Sequence, residues 1–367
     1  MKNHYPVTLN FDTLECEETF DSRLLHACDR VKTITNPYIG NKRKILYHII
    51  QEFNGINPKF ETVLDLFSGS ACVGMALRLM NKKVISNDIL TSSTYYASAF
   101  TQIDGNPLTV EDKEIIFKEG NFFDETFYEK FKNRFTKNEL KRLMQIKYNI
   151  NKEIMNKDMA KYKFIMANIQ LHIMNYCFVG GRLNNGQILA DKNHRISHDR
   201  NKGRELNLQN ICWKKIEGGE TDNVVLSFDA VDVIDYICEK NISPDIAYID
   251  PPYGGNQSDY NFMYNFFEEY SSFNCDTEEK YLRKNGPKEK FIKSNNYKDN
   301  FIKLIKSLSI VPYLVISYNN SSWANIETIQ KILKEYRKNV KVKEIDYEYR
   351  YRKQLNMNGK EYLIIAE

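Results

Sequence analysis

No two of the seven cysteines in this 367-residue chain stand in a C-x-x-C spacing; they lie scattered at 16, 28, 72, 177, 212, 238 and 275. An odd, scattered set excludes a disulfide framework and argues against a zinc site, so no metal is expected. No stretch approaches the ~20 consecutive apolar residues that span a bilayer. The first 30 residues carry acidic side chains and no apolar core of signal-peptide length. Together these absences predict a soluble, cytoplasmic protein. A large excess of one charge is also missing: 52 basic and 48 acidic residues leave a formal charge of +4, which permits a polyanionic partner without demanding one. Internal repeats are absent as well.

The composition is that of a folded chain, 42% hydrophobic and 13% aromatic. Its length suits a catalytic domain of moderate size with a second unit inserted or appended. Residues 1–36 show little periodicity and read as an arm or peripheral helix. From residue 38 the texture changes. YIGNKRKIL leads into LYHIIQEF, whose apolar spacing predicts a helix. TVLDLF then reads as a short strand, a Ser/Gly turn follows, and CVGMALRLM is helical. KKVISND and SSTYYASAF repeat strand and helix, so two successive βα units predict a parallel sheet with crossover helices.

Residues 124–222 break this alternation with Lys- and Asn-rich helical segments and a glycine-punctuated tract, and they read as an insertion. NVVLSF, VDVIDYICE and DIAYID restore the rhythm. VPYLVISYN, a helix over 323–336 and two terminal strands, VKVKEIDYEY and EYLIIAE, complete it. The expectation is one α/β domain, 37–123 with 223–367, interrupted by a second domain over 124–222.

Asp250-Pro251-Pro252-Tyr253 directly follows the strand DIAYID, at the carboxyl edge where open α/β sheets bind ligands. Two prolines fix their φ angles and remove two backbone donors, leaving a stiff acceptor-rich loop. An exocyclic ring amine is a poor nucleophile because its lone pair is delocalised. Acceptors on both its N–H bonds, from Asp250 and the Pro251 carbonyl, would favour a tetrahedral nitrogen with a free lone pair. Tyr253 offers a face for an extruded base. The bland alternative is a Pro-rich turn with Asp as its former.

Asp65-Leu66-Phe67-Ser68-Gly69-Ser70-Ala71-Cys72-Val73-Gly74 joins the first strand to its helix. A dinucleotide fingerprint would carry a glycine where Ala71 stands, so a pyrophosphate ligand is disfavoured. Asp88 ends the second strand, where an acidic residue commonly accepts from ribose hydroxyls. S-adenosylmethionine has that ribose and no phosphate. Asp65 suits its amino group, Lys42 its carboxylate and Asp229 its adenine amine. Lys42 could instead be a surface lysine, Asp229 a helix N-cap, and Phe67 packing.

These pieces resemble the D12 class of DNA adenine-N6 methyltransferases, the class of the Dam enzyme and of several type II modification enzymes. The resemblance rests on PYIGNKRKIL, LDLFSGSACVG, SND, LSFDA, IDPPYGG, LVISYNN and EYLIIA, in that order along residues 37–367. It implies an α/β, Rossmann-like methyltransferase sheet with helices on both faces and a mainly helical target-recognition domain at 124–222. It also implies a catalytic set of Asp250, Pro251, Pro252 and Tyr253. The S-adenosyl-L-methionine set would be Tyr38, Lys42, Asp65, Phe67, Ser68, Gly69, Asp88, Asp229, Ala230 and Asp250. The partner would be double-stranded DNA, whose target base is flipped out, with a cognate restriction endonuclease at the same site in a prokaryotic cell and the enzyme acting as a monomer. Ala71 departs from the second glycine of many relatives.

Lys192, His194, Arg195, His198, Arg200, Lys202 and Arg204 cluster in the insertion and suit phosphates and base edges; a solvated loop is the alternative. Tyr260, Tyr264 and Phe266 are candidates for a wedge or a lid, although aromatics at helical spacing more often form core. The rival functions are an RNA adenine methyltransferase and an inactive DNA-binding relative. N4-cytosine transfer would more commonly show Ser at position 250.

Overall fold

A computed structural model describes residues 19–34, 38, 40–132, 134–179, 182–183, 206–252, 264–273, 291, 296–319, 324–347 and 359–367. Its centre is a seven-stranded sheet. The strands are β1 (Thr62–Asp65), β2 (Lys83–Asn87), β3 (Val224–Leu226), β4 (Ile246–Ile249), β5 (Tyr313–Asn319), β6 (Val340–Tyr347) and β7 (Gly359–Ala366). Their spatial order is β3-β2-β1-β4-β5-β7-β6. The first five are parallel; β7 runs antiparallel between β5 and β6.

The chain therefore moves outward from β1 in one direction through β2 and β3, and in the other through β4 and β5. The loops after β1 and β4 diverge at this reversal and open a crevice at the carboxyl edge. Asp65 and Asp250 stand at the ends of those two neighbouring strands. This is the Rossmann-like α/β architecture expected from the alternating apolar segments.

Strand residues feed two cores, as period-two geometry requires. Val63 and Val84 join one cluster with α1 (Phe20–Thr33), α2 (Leu46–Ile56) and α3 (Cys72–Leu79). Leu64, Ile85 and Ala247 join the other, with α9 (Val233–Glu239), α11 (Tyr297–Ser307) and α12 (Ile326–Lys334). Each fully buried aliphatic side chain contributes roughly 1.5–3 kcal/mol. Of the arm or peripheral helix expected at 1–36, the described part includes helix α1, whose Leu24, Ala27, Cys28 and Val31 bury one face and which packs on α3.

After α4 (Thr91–Ala97), which runs on into a π-helical turn at Ser98–Gln102, comes a helical layer. It comprises α5 (Val110–Phe117), α6 (Glu125–Phe131), α7 (Lys137–Ile150) and α8 (Met159–Cys177). Helix α5 packs on α7, so this layer takes in residues ahead of 124. Fully buried Arg78 of α3 staples both ends of the excursion. It donates to the carbonyls of Phe100 (3.2 Å) and Ile103 (2.7 Å) on the way out and of Gly218 (3.0 Å) on the way back, and it pairs with Asp104 at 2.7 Å.

One further helix, α10 (Asn265–Ser272), ties this layer to the sheet domain. The Tyr270 hydroxyl donates to the Leu143 carbonyl (3.0 Å), and buried Lys147 of α7 donates to the Ser271 carbonyl (3.1 Å) and to the Tyr162 hydroxyl. At the other side of α10, the Glu268 carboxylate accepts from the Thr91 and Ser92 N–H groups, at 3.1 and 2.8 Å, where α4 begins.

Candidate active site

The loop after β1 is shaped by a carboxylate rather than by glycine alone. Asp88, one residue past β2, accepts from the Gly69 N–H (2.8 Å) with Oδ2 and from the Leu90 N–H (2.9 Å) with Oδ1. The Ser68 N–H donates to the Asn87 carbonyl at 2.9 Å. Gly69 sits at φ +47°, and a Cβ there would meet the Tyr38 ring at 3.0 Å. Ala71, where many relatives have glycine, adopts φ +59° at the start of α3. That left-handed geometry costs a non-glycine residue roughly 1–2 kcal/mol, so the loop keeps the turn without the glycine.

Asn87 binds three strand ends together. Its Nδ2 donates to the carbonyls of Leu66 (3.2 Å) and Phe228 (3.1 Å), and its Oδ1 accepts from the Phe228 N–H (3.0 Å). Sequence reading passed over it; the only signal was its place immediately before Asp88.

A cleft of about 610 Å³ opens at the strand reversal. Its lining includes Tyr38, Lys42, Asp65, Phe67, Ser68, Gly69, Asp88, Asp250, Pro251 and Pro252. The described residues of the expected catalytic and cofactor sets thus converge, with two exceptions. Asp229 and Ala230 line a smaller hollow of about 220 Å³, with Asn87, Ile89 and Phe228, on the other side of Phe67. Phe67 belongs to both and stands edge-on to Phe291, ring centroids 5.4 Å apart. Asp229 Oδ1 accepts from the Val231 N–H at 3.1 Å, holding the turn ahead of α9, whose N-cap is Asp232.

The large cleft is lined by three carboxylates, Asp65, Asp88 and Asp250, and one lysine, Lys42. Burial pushes the Asp65 carboxyl well above its usual range, and the charges of Asp250 and Asp88 push it the same way. Asp88 is pushed up to about 7 by burial, against the pull of its two backbone donors. Asp65 Oδ1 and Ser68 Oγ are buried and have no hydrogen-bond partner among the described residues. An uncompensated buried carboxylate oxygen calls for a cation, and an unmatched hydroxyl for a polar ligand. A cationic ligand that also carries hydroxyls fits this lining.

Lys42 lines the cleft and is buried, so it is not the surface lysine of the alternative reading. It is 6% exposed and bridges Asp250 Oδ1 (3.1 Å) and Glu361 Oε1 (2.9 Å). Glu361 of β7 also accepts from the Ser317 hydroxyl of β5 at 2.7 Å. Pro251 and Pro252 are buried, and the Pro252 carbonyl accepts from the Tyr297 hydroxyl of α11 at 2.6 Å, which anchors the loop. Neither Glu361 nor Tyr297 was singled out from the sequence.

Tyr264 and Phe266 are buried, and Tyr264 stacks on Tyr38 at 4.5 Å, so both belong to the packing around the cleft. Tyr253, Tyr260 and the basic cluster of Lys192, His194, Arg195, His198, Arg200, Lys202 and Arg204 lie outside the described residues. Among the described residues no cluster of three or more His, Cys, Asp or Glu side chains is arranged to hold a metal ion. No described helix is long and apolar enough to cross a membrane.

The model of the D12 class of N6 adenine-specific DNA methyltransferases matches residues 38–332. The type II methyltransferase M2.HphI of Haemophilus parahaemolyticus is 25% identical over 327 residues, which cover 85% of this chain and 91% of that protein. A solved structure described as a SAM-dependent methyltransferase from Streptococcus mutans is 11% identical, with a TM-score of 0.38. That similarity covers 91% of this chain, which spans half the length of the Streptococcus chain.

Proposed function

We propose, from the premise that the chain belongs to the D12 class of N6 adenine-specific DNA methyltransferases, that it methylates N6 of an adenine flipped out of a specific duplex site. Family membership brings the cofactor, S-adenosyl-L-methionine, which supplies an electrophilic methyl group on a sulfonium. The observation that carries the reading is that Asp250 opens into the cleft lined by Asp65 and Asp88. The acceptor for the amine and the cation-binding carboxylates therefore share one cavity.

In this reading the Asp250 carboxylate accepts one N–H of the target amine and the Pro251 carbonyl the other, which frees the nitrogen lone pair. The lone pair forms the new N–C bond while the S–C bond breaks, its electron pair staying on sulfur. The surplus proton on nitrogen leaves through the Asp250 carboxylate to water. Tyr253 receives the face of the flipped base, which repays part of the few kcal/mol of unstacking.

Asp229 and Ala230, in the smaller hollow beyond Phe67, are the proposed seat of the cofactor's adenine, with Lys42 positioning Asp250 from the far wall. Residues 124–222 form the proposed target-recognition domain, in which the basic cluster at 192–204 meets phosphates and base edges. The type II name of the Haemophilus relative supports a place in a restriction-modification pair with an endonuclease reading the same site; a monomer acting on duplex DNA belongs to the same proposal. The test is to incubate the protein with methyl-labelled cofactor and either genomic DNA or ribosomal RNA. Label on N6-adenine in DNA is expected; label confined to RNA overturns the reading.

A further inference from the structure

We propose that Glu361 is a positioning residue for methyl transfer: it shares the Lys42 ammonium with Asp250 and so leaves the Asp250 carboxylate, which Lys42 holds ionised, incompletely neutralised toward the target amine. The inference rests on the functional reading above and adds a residue that lies beyond the family match, which ends at 332.

The geometry is a buried chain of polar contacts. Ser317 Oγ donates to Glu361 Oε1 at 2.7 Å, Lys42 Nζ reaches the same oxygen at 2.9 Å, and Lys42 Nζ reaches Asp250 Oδ1 at 3.1 Å. Glu361 is 1% exposed and Lys42 6%. A carboxylate so far from water is destabilising unless charge and hydrogen bonds compensate it. A purely structural fold would be served as well by an apolar residue, as its β7 neighbours Leu363 and Ile364 illustrate. Glu361 takes its place in the sheet opposite Asn319 at the end of β5, on the carboxyl edge that holds the cleft.

Charge explains the arrangement. Lys42 paired with Asp250 alone would be a neutral pair, and its field would draw the carboxylate's electron density away from the amine. Two carboxylates on one ammonium carry net charge −1. Transfer turns a neutral amine into a positively charged nitrogen before its proton leaves, so a preorganised net negative cluster favours that state over the ground state. Among the described residues of the cleft, the other titratable groups are Tyr38, Asp65 of β1, Tyr248 of β4, Cys72 of α3 and Asp88. Burial keeps the Tyr248 and Cys72 hydrogens in place. With cofactor bound, Asp65 and Asp88 are engaged by it.

The test uses the full-length protein with Glu361→Gln, Glu361→Asp and Lys42→Met. Two readouts are taken: the acid limb of kcat against pH at saturating cofactor and DNA, and a 13C-carboxyl NMR titration of Asp250, assigned with Asp250→Asn. In Glu361→Gln, Lys42 leans wholly on Asp250, so the limb and the NMR midpoint move down by about half a pH unit or more. The maximal kcat falls about tenfold, and KM for the cofactor changes little. Lys42→Met moves both midpoints up. Glu361→Asp, which keeps the charge, stays near wild type.

Midpoints of folded Glu361→Gln that coincide with wild type overturn the proposal, as does a Glu361→Asp variant that behaves like the Gln variant. If Glu361→Gln does not fold, an unshifted Lys42→Met midpoint overturns it equally. The NMR titration needs no turnover, so failure of the functional reading, seen as a wild type that does not label DNA, is distinguished from failure of this inference.

Discussion

Asn87 and Phe228 exchange hydrogen bonds in both directions: the amide donates to the Phe228 carbonyl at 3.1 Å and accepts from its N–H at 3.0 Å. With its third bond, to Leu66 at 3.2 Å, Asn87 closes the ends of β1, β2 and the segment after β3 into one frame. Replacement by Ala deletes three hydrogen bonds and leaves backbone groups unmatched, which costs about 2–3 kcal/mol. Denaturant unfolding of Asn87→Ala should show that loss, together with weaker cofactor binding, because Asn87 and Phe228 line the smaller hollow. A loss under about 1 kcal/mol would contradict the assigned role.

Asp250→Ala should lower transfer by about a hundredfold or more while leaving cofactor affinity within a few-fold of wild type. The fold should tolerate the change because Lys42 retains its Glu361 partner. Single-turnover kinetics alongside calorimetric binding of S-adenosylhomocysteine separate the two effects. Unchanged turnover would remove Asp250 from the mechanism.

Gly69→Ala forces a side chain onto φ +47° and against the Tyr38 ring. Left-handed strain of roughly 1–2 kcal/mol and displacement of Tyr38 should together weaken cofactor binding by about tenfold or more. Ala71→Gly, in contrast, should stay within about 1 kcal/mol of wild type, since relief of its own left-handed strain offsets the lost burial of a methyl group. Equal affinities of Gly69→Ala and wild type, measured by calorimetry, would count against this loop as a cofactor contact.

The raised carboxyls set a pH dependence. In the proposed reading, cofactor cations and hydroxyls are held by the ionised forms of Asp65 and Asp88, whose folded values lie above their ordinary range, Asp88 at about 7. Affinity for S-adenosylhomocysteine should therefore rise as pH increases toward 7 and level off above it, with proton release on binding below that point. Without ligand the sign is opposite for stability. A carboxyl that holds its proton more tightly when folded stabilises fully below the unfolded value near ~4, and that contribution is lost as pH climbs to about 7. Asp88→Asn should flatten both trends; a wild-type affinity independent of pH between 5 and 8 would refute the assignment.

The sheet was legible because β1, β2, β4 and β5 are short apolar runs closed by turn chemistry, and the loop of Asp65 to Asp88 was legible because acidic residues end successive strands. For α1 the sequence left an arm or a peripheral helix open; Leu24, Ala27, Cys28 and Val31 stand at helical spacing, but polar residues interleaved among them hid the buried stripe. Asn87 and Glu361 fall inside the quoted blocks SND and EYLIIA, yet nothing local marked their roles, and Tyr297 lay in no such block. Glu361 stands at the head of an alternating strand, where a carboxylate resembles any polar edge residue. Its meaning depends on Lys42, 319 positions away, and on a register between β5 and β7 that no local pattern encodes. The same distance hid the true neighbours of Lys42.

Helix α10 fixes the scale at which this enzyme can be re-engineered. Its Tyr270 and Ser271 are bonded to the backbone and lysine of α7, while Glu268, one turn earlier, caps the helix that starts beside the Asp88 loop. With the helical layer as the proposed reading head, one grafted from a relative would arrive with a seam cut for a different α10. Swapping specificity therefore means transplanting Asn265–Ser272 together with the helices it grips, or the donor pocket will loosen along with the graft.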